Sequence, residues 1–319
     1  MQLTLACGRY DRTQPLIDGR VRPEGVELNF IPLKPGETFW RQLNNGEFDA
    51  SEMSLSSYTI LRSEGDERFI AIPVFPSRIF RHSALYVRDG SKVSRPEDLK
   101  GARVGVGDYQ MTAAVWVRGF LQHEYGVRPE DIRWVAGNPI RRIQPPEGVR
   151  LEFVSTRLED MLDAGEIDAL VSVVLPKKLG NGVRRLFPDF RKVELDYYRR
   201  TRIFPIMHTL ALKRSVYEKN PWLAVSLYKA FCKAREVSYH WLYDTDALPV
   251  SLPWVIDEIE RSREVVWDYS IEGSRPTLDA LVRYLDEQKL TRRPMKVEEL
   301  FAPNISQGLD AYLKATGED

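Results

Sequence analysis

Residues 39–50 read Phe39-Trp40-Arg41-Gln42-Leu43-Asn44-Asn45-Gly46-Glu47-Phe48-Asp49-Ala50, and residues 158–169 answer with Leu158-Glu159-Asp160-Met161-Leu162-Asp163-Ala164-Gly165-Glu166-Ile167-Asp168-Ala169. In each, a short helix-like run stops at a glycine and a strand-like run opens two residues later. Glycine there suits a left-handed helix cap. The two copies are too short and too far apart for a solenoid. They fit two similar α/β lobes with one such unit in each, and two ordinary helix-to-strand turns account for them equally well.

Working outward, Leu3–Cys7, Val26–Pro32, Phe48–Met53, Phe69–Val74 and Ser83–Val87 read as strands, with helices over Thr38–Leu43 and Ser56–Arg62. That alternation predicts α/β architecture. After Arg88-Asp89-Gly90 the pattern restarts. Pro and acids open a helix at Ser94–Leu99, followed by a strand at Ala102–Val106, helices at Met111–Tyr125 and Leu158–Leu162, and a strand at Ile167–Leu175. Beyond a strand at Leu210–Lys213 the chain reads as helical: Pro221–Tyr243, Leu252–Tyr269, Thr277–Glu287 and Val297–Phe301. The expected layout is discontinuous. Residues 1–88 plus 205–319 form one lobe, 89–204 form the other, and crossings near 88 and 205 make a hinge beside an interlobe cleft.

The chain has 319 residues, which suits about two domains at roughly 100–200 residues each. Its 46 lysines and arginines balance 46 aspartates and glutamates, so no global basic field exists to attract nucleic acid. Apolar runs such as Ala169–Pro176 fall far short of the roughly 18 residues a membrane span needs. Cys7 and Cys232 make no disulfide framework and no CxxC, which fits a reducing compartment. The first residues lack the basic region and apolar core of a secretory leader, so a cytoplasmic location is expected.

The densest polar constellation is Pro73–Ser83, where Arg78, Arg81 and His82 lie between two expected strands. Arginine forks suit carboxylates and histidine titrates near neutrality; a basic surface turn is the plainer reading. Arg9, Tyr10, Asp11 and Arg12 follow the first strand, where open α/β sheets bind ligands. Glu52, Ser54, Ser56 and Ser57 follow another strand, and the hydroxyls serve either a ligand or a helix N-cap. Tyr109, Gln110 and Thr112 sit in a strand-to-helix turn that lacks the third glycine of a dinucleotide fingerprint. Arg202 and His208 lie at the second crossing, His208 as either ligand group or core histidine. His123 and His240 read as structural. No metal-ligand spacing, nucleophile elbow or P-loop is present. Only distant residues such as His82, His208 and Glu52 remain for folding to gather around a metal. Apolar faces with Trp254 and Trp267 suit core packing, or a homo-oligomer interface.

These segments together resemble one family, the 4,5-dihydroxyphthalate decarboxylases and their relatives. The likeness rests on GRYDRTQPLIDG, PEGVELNF, GEFDASEMSLSSY, AIPVFPSRIFRHS, PEDLKGARVGV, YQMTAAVWVRG, GEIDAL, RRLFPDF, RTRIFPIMH, PTLDALVRYL and VEELFAP, spread over nearly the whole chain. The resemblance implies a two-lobed type II periplasmic-binding-protein-like fold, with a ligand cleft between the lobes and extra C-terminal helices. It also implies a carboxy-lyase acting on a small aromatic carboxylate without a cofactor. Direct loss of carbon dioxide would leave an in-plane carbanion that the ring cannot delocalise. Protonating the ring carbon that bears the carboxylate, with a para hydroxyl feeding electrons, is easier. That route needs a proton donor, a base and cationic clamps. His82 or His208 are the expected donors, Asp11 or Glu52 the bases, and Arg9, Arg78, Arg81 and Arg202 the clamps. The alternative is a solute-binding protein that captures an aromatic carboxylate for a transporter; the leader-free N-terminus is expected to favour the enzyme.

Overall fold

The computed structural model describes residues 1–137, 139, 143–242 and 253–305. Its strands form a five-stranded and a six-stranded sheet. The first holds β1 (Gln2–Cys7), β2 (Glu27–Pro32), β3 (Ala50–Ser54), β4 (Phe69–Arg78) and β11 (Ile206–Lys213), in the order β2-β1-β3-β11-β4. The second holds β5 (Leu85–Arg88), β6 (Arg103–Val106), β7 (Arg133–Ala136), β8 (Arg150–Phe153), β9 (Ala169–Val171) and β10 (Val183–Arg185), in the order β10-β5-β9-β6-β7-β8. The connections carry α1 (Gln14–Ile17), α2 (Pro35–Asn45), α3 (Leu55–Ser63), α4 (Thr112–Tyr125), α5 (Leu158–Ala164) and α6 (Phe190–Thr201). The C-terminal part adds α7 (Arg214–Lys219), α8 (Trp222–Leu242), α9 (Pro253–Arg261) and α10 (Arg275–Glu287).

Both sheets follow one plan. β1, β2 and β3 run parallel, and so do β6, β7, β8 and β9. Next to one edge strand of each sheet lies a single reversed strand, β11 in the first and β5 in the second. Each reversed strand is the one the chain enters after changing sheets. The two sequence echoes occupy matching places, leading into β3 and β9. Gly46 and Gly165 cap the helices before them at φ of 55° and 75°, a region that residues with a Cβ rarely enter.

Several boundaries differ from expectation for local reasons. The strand expected over Ile167–Leu175 ends at Val171, because the Ser172 hydroxyl accepts from the Val174 amide and donates to its carbonyl, closing a turn. The strand expected to stop at Val74 runs on to Arg78 through Pro76, which an edge strand tolerates. The C-terminal chain covers that edge, with the Ala302 amide donating to the Ala71 carbonyl at 2.8 Å. The helix expected over Leu252–Tyr269 ends at Arg261, and that over Val297–Phe301 is a 3-10 turn. Tyr243 and Leu252, the expected ends of two helices, lie outside the described residues. β7, β8, β10 and α6 carry too little periodicity to have been found in the sequence.

The chain passes between sheets twice, over residues 79–84 and 202–205. The crossings hold each other: the Ile79 amide donates to the Pro205 carbonyl at 3.0 Å, and the Phe80 and Phe204 rings lie 4.9 Å apart. β5 pairs with β9 and β10, so residues 85–88 belong by hydrogen bonding to the second sheet.

The C-terminal helices tie both sheets together. α10 lies on α3 and α4. Buried Arg118 donates to the Gln288 side chain at 2.7 Å, and Gln288 donates to the Val115 carbonyl at 3.0 Å. The Tyr284 ring seats directly on Gly119, where an added Cβ would stand 2.1 Å from Tyr284 Cδ2. Gly119→Ala is therefore expected to cost about 1–3 kcal/mol by overpacking, read as a lower denaturant midpoint with unchanged slope. An unshifted midpoint would contradict this close approach.

Candidate active site

Glu52 sits in the middle of β3, a strand buried along its whole length, and has no exposed surface. A carboxylate there needs a full set of donors, and the fold supplies four. Oε2 accepts from the Gly8 amide at 2.8 Å and the Cys7 thiol at 3.4 Å; Oε1 accepts from the Tyr10 hydroxyl at 2.8 Å and His208 Nδ1 at 2.6 Å. Burial pushes the Glu52 carboxyl up, but the His208 ring, the Gly8 amide and the Tyr10 hydroxyl outweigh it and hold the group below its ordinary value. The anion in turn raises the Cys7 thiol and the Tyr10 phenol, already raised by burial, so both remain protonated donors.

Local chain geometry builds this cluster. Tyr10 folds back over Gly8 so closely that a Cβ at position 8 would lie 2.4 Å from its ring. His208 pairs with Ser54 at the start of β11, where the register against β4 shifts on either side of it. Such irregularities re-aim a side chain. Trp116 on α4 fixes this end of β11 by donating to the Ile206 carbonyl at 2.9 Å. With Nδ1 bonded to the carboxylate, Nε2 is the nitrogen left for chemistry. The His208 side chain keeps 17% of its surface exposed, and Phe39 on α2 meets the ring edge-on at 4.9 Å. Cys7, Gly8 and Phe39 were missed in the sequence. Only the glycine placed directly after a strand offered a signal.

The hydroxyl segments join the two sheets. Ser54 Oγ lies 2.9 Å and Ser56 Oγ 3.0 Å from Thr112 Oγ1, and Ser56 donates to the Gln110 carbonyl at 2.6 Å. Ser54 also caps α3 by accepting from the Ser57 amide at 3.4 Å. The N-termini of α3 and α4 thus meet through buried hydroxyls beside the Glu52 strand.

Other candidates lie elsewhere. His82, an expected proton donor, is 1% exposed, stacked on Phe120 at 4.1 Å and edged by Phe187 and Tyr197, with neither ring nitrogen hydrogen-bonded. Burial and the Arg200 charge lower its pKa to about 3. A ring held neutral in an aromatic core is a poor acid, so that expectation is corrected. Tyr109 is a core residue of the second sheet, its ring under Arg118 at 3.8 Å, rather than a ligand group. Asp11, an expected base, is instead an exposed partner of Arg12 at 2.7 Å. Arg12 itself is sandwiched between Tyr10 and Trp267 and donates to the Pro76 carbonyl. Arg78 is committed to the Asp268 and Phe204 carbonyls and the Ser274 hydroxyl, so it is not a free clamp. Arg81 is buried and donates from Nε to the sulfur of Met207, the residue before His208. Arg9 and Arg202 are exposed, Arg202 as the left-handed cap of α6. His123 pairs with Glu287 at 2.7 Å, as a structural residue should, and His240 is exposed. Among the described residues no group of three or more His, Cys, Asp or Glu is placed to hold a metal ion, and no helix is long and apolar enough to cross a membrane.

His82 generates a sign-definite test. Its folded pKa of about 3 lies below the ordinary imidazole value, so the unfolded chain binds the extra proton. Stability from this group is present above pH of about 6.5 and is lost as pH falls, by about 1.4 kcal/mol per pH unit. His82→Leu is expected to flatten the pH dependence of unfolding free energy between pH of about 4 and 6; an unaltered slope would refute the buried neutral ring.

The comparisons with known proteins bear on fold and family. Residues 10–142 match the model of the phosphonate-binding family of ABC transporter periplasmic substrate-binding proteins. Among solved structures, the putative periplasmic sulfonate-binding protein of Methylobacillus flagellatus aligns at 14% identity and TM-score 0.58, covering 99% of this chain and 95% of that one. The desulfurization enzyme DSZB aligns at 14% identity and TM-score 0.52, covering 98% of this chain and 99% of that one. At such identities the likeness concerns fold alone: this is the two-lobed periplasmic-binding-protein-like architecture. A 4,5-dihydroxyphthalate decarboxylase of Pseudomonas putida is 37% identical over 211 residues, 62% of this chain and 82% of that protein. A 4,5-dihydroxyphthalate decarboxylase of Comamonas testosteroni is 39% identical over 319 residues, 95% of this chain and 97% of that protein. With that identity sustained end to end, the chain belongs to the 4,5-dihydroxyphthalate decarboxylase family.

Proposed function

We propose that this chain is a carboxy-lyase that converts 4,5-dihydroxyphthalate to protocatechuate and carbon dioxide at the Glu52–His208 pair. The carrying observation is a buried, fully bonded carboxylate aimed at a partly exposed imidazole. His208 delivers a proton from Nε2 to the ring carbon bearing a carboxylate, as the para oxygen pushes electrons into the ring. The carbon–carboxylate bond then breaks, its electron pair restores aromaticity, and carbon dioxide departs. Ring protonation of this kind needs no cofactor. Glu52 is not the base for the hydroxyl, since four donors occupy it; it positions His208 and stabilises the imidazolium. Arg9, Arg81 and Arg202 are the arginines left to hold the two carboxylates. In this reading residues 1–84 plus 205–319 and residues 85–204 close as two lobes over the substrate, with Ser54, Ser56, Ser57, Gln110 and Thr112 at their junction. The enzyme acts in the cytoplasm on a small molecule.

The decisive assay is incubation of the metal-chelated protein with 4,5-dihydroxyphthalate, following carbon dioxide and protocatechuate. Turnover is expected. Binding without turnover, also after metals are restored, would favour the alternative that the fold likeness supports, a binding protein for an aromatic carboxylate.

His208→Gln is expected to lower kcat by about 10²–10⁴-fold with a small change in KM. Glu52→Gln should lose much of the same factor in kcat with KM little changed, and Glu52→Asp should rescue part of it. Full activity in His208→Gln would remove its role.

A further inference from the structure

We propose that a cavity of about 940 Å³ at the two crossings is a second binding site, separate from the Glu52–His208 pair, and that it takes an aromatic carboxylate. Ile79, Phe80 and Phe204 of the crossings form one side of it, and α6, α8, α9 and Trp267 supply the rest; neither Glu52 nor His208 lines it. Its volume falls within the roughly 300–1,000 Å³ of small-molecule sites.

Shape and charge give the ligand class. The Phe80 and Phe204 rings lie 4.9 Å apart, and Trp267 meets Phe204 at 5.9 Å and 89°, so flat faces and ring edges border one space. Such surfaces favour a planar aromatic body. Seven lysines and arginines against four carboxylates line the cavity. Arg191 is paired with Glu258 and Arg199 with Asp196 and Glu264. Arg78 and Arg235 have no carboxylate partner among the described residues. Arg78 is 5% exposed and is held only by neutral acceptors, and Arg235 donates to the Trp267 carbonyl. Each also leaves its buried Nε without an acceptor. A half-buried cation without an anion is costly, and a carboxylate entering the cavity would neutralise Arg235 and offer an acceptor to the one open nitrogen of Arg78, its Nε, while the ring lies on the aromatic wall. A ligand there touches both segments that join the sheets, so its occupancy would act on the hinge. The inference does not depend on the proposed reaction.

The test is calorimetric titration of the full chain with protocatechuate, for the wild type, Val266→Trp and Arg235→Gln. Val266 lines the cavity and is 62% exposed, so a larger side chain blocks the space without entering a core. Each variant is expected to weaken one binding event by about tenfold or more, while turnover of 4,5-dihydroxyphthalate by V266W stays within about twofold of wild type. Unchanged binding in both variants overturns the inference. Loss of turnover in V266W also overturns it, because the cavity would then be the reacting site. Should the wild type turn over no 4,5-dihydroxyphthalate while V266W still weakens binding, the proposed reaction fails and the second site stands.

Discussion

The Glu52 carboxylate is a charge cut off from water in the middle of a sheet, and the surrounding structure is arranged to satisfy it. Leaving one such anion without partners would cost several kcal/mol. Each of its four donors carries its own requirement. The Gly8 amide is available only where the first strand ends, and Tyr10 reaches back only because position 8 has no side chain. His208 arrives on a strand whose register is irregular on both sides of it. The Cys7 thiol remains a donor because burial beside an anion keeps it protonated. What emerges is an imidazole fixed in orientation and tautomer by its buried face, with its other nitrogen available.

The twin sheets explain why this happens at one edge. In parallel α/β sheets the loops that leave the C-terminal strand ends gather the ligand groups, and β1, β3 and the start of β11 bring theirs together here. Each sheet admits one reversed strand, and in each it is the strand the chain enters on crossing. The crossings are stitched to each other by a backbone hydrogen bond and a ring pair. The serines after β3 bond to the threonine that opens α4, so the site lies beside the seam between sheets. The C-terminal helices span that seam from outside, with Tyr284 seated on Gly119 and Gln288 joined to Arg118.

Much of the fold was legible because its signals are local. Glycine caps, strand runs and the restart after Gly90 depend on neighbours within a few residues. The segments that line the site, SEMSLSSY, FPIMH and GRYD, were legible as polar breaks directly beside strand signals. Elements of few residues with mixed polarity were not: β10 is three residues long, and α6 carries charges around much of its surface. The run Val173-Val174-Leu175 misled in the opposite direction. Its apolar residues continue the strand pattern, but a serine turn ends pairing and leaves them exposed.

The two histidines mark the boundary between the two kinds of knowledge. Both follow aromatic, proline-bearing segments, and nothing within a few residues distinguishes them. His208 came to face the buried Glu52 carboxylate because strand pairing set it there, 156 residues away in the chain. His82 became a core residue because Phe120, Phe187 and Tyr197 closed around it from elements remote in sequence. The arginines divided in the same way, Arg78 held by carbonyls and Arg9 left exposed. The sequence by itself determined the α/β alternation, the double plan and the segments that border the site, since backbone preference and periodicity are local properties. Which members of those segments carry charge, give protons or fill the core was decided only by tertiary structure, because burial and hydrogen-bond partners come from residues distant along the chain.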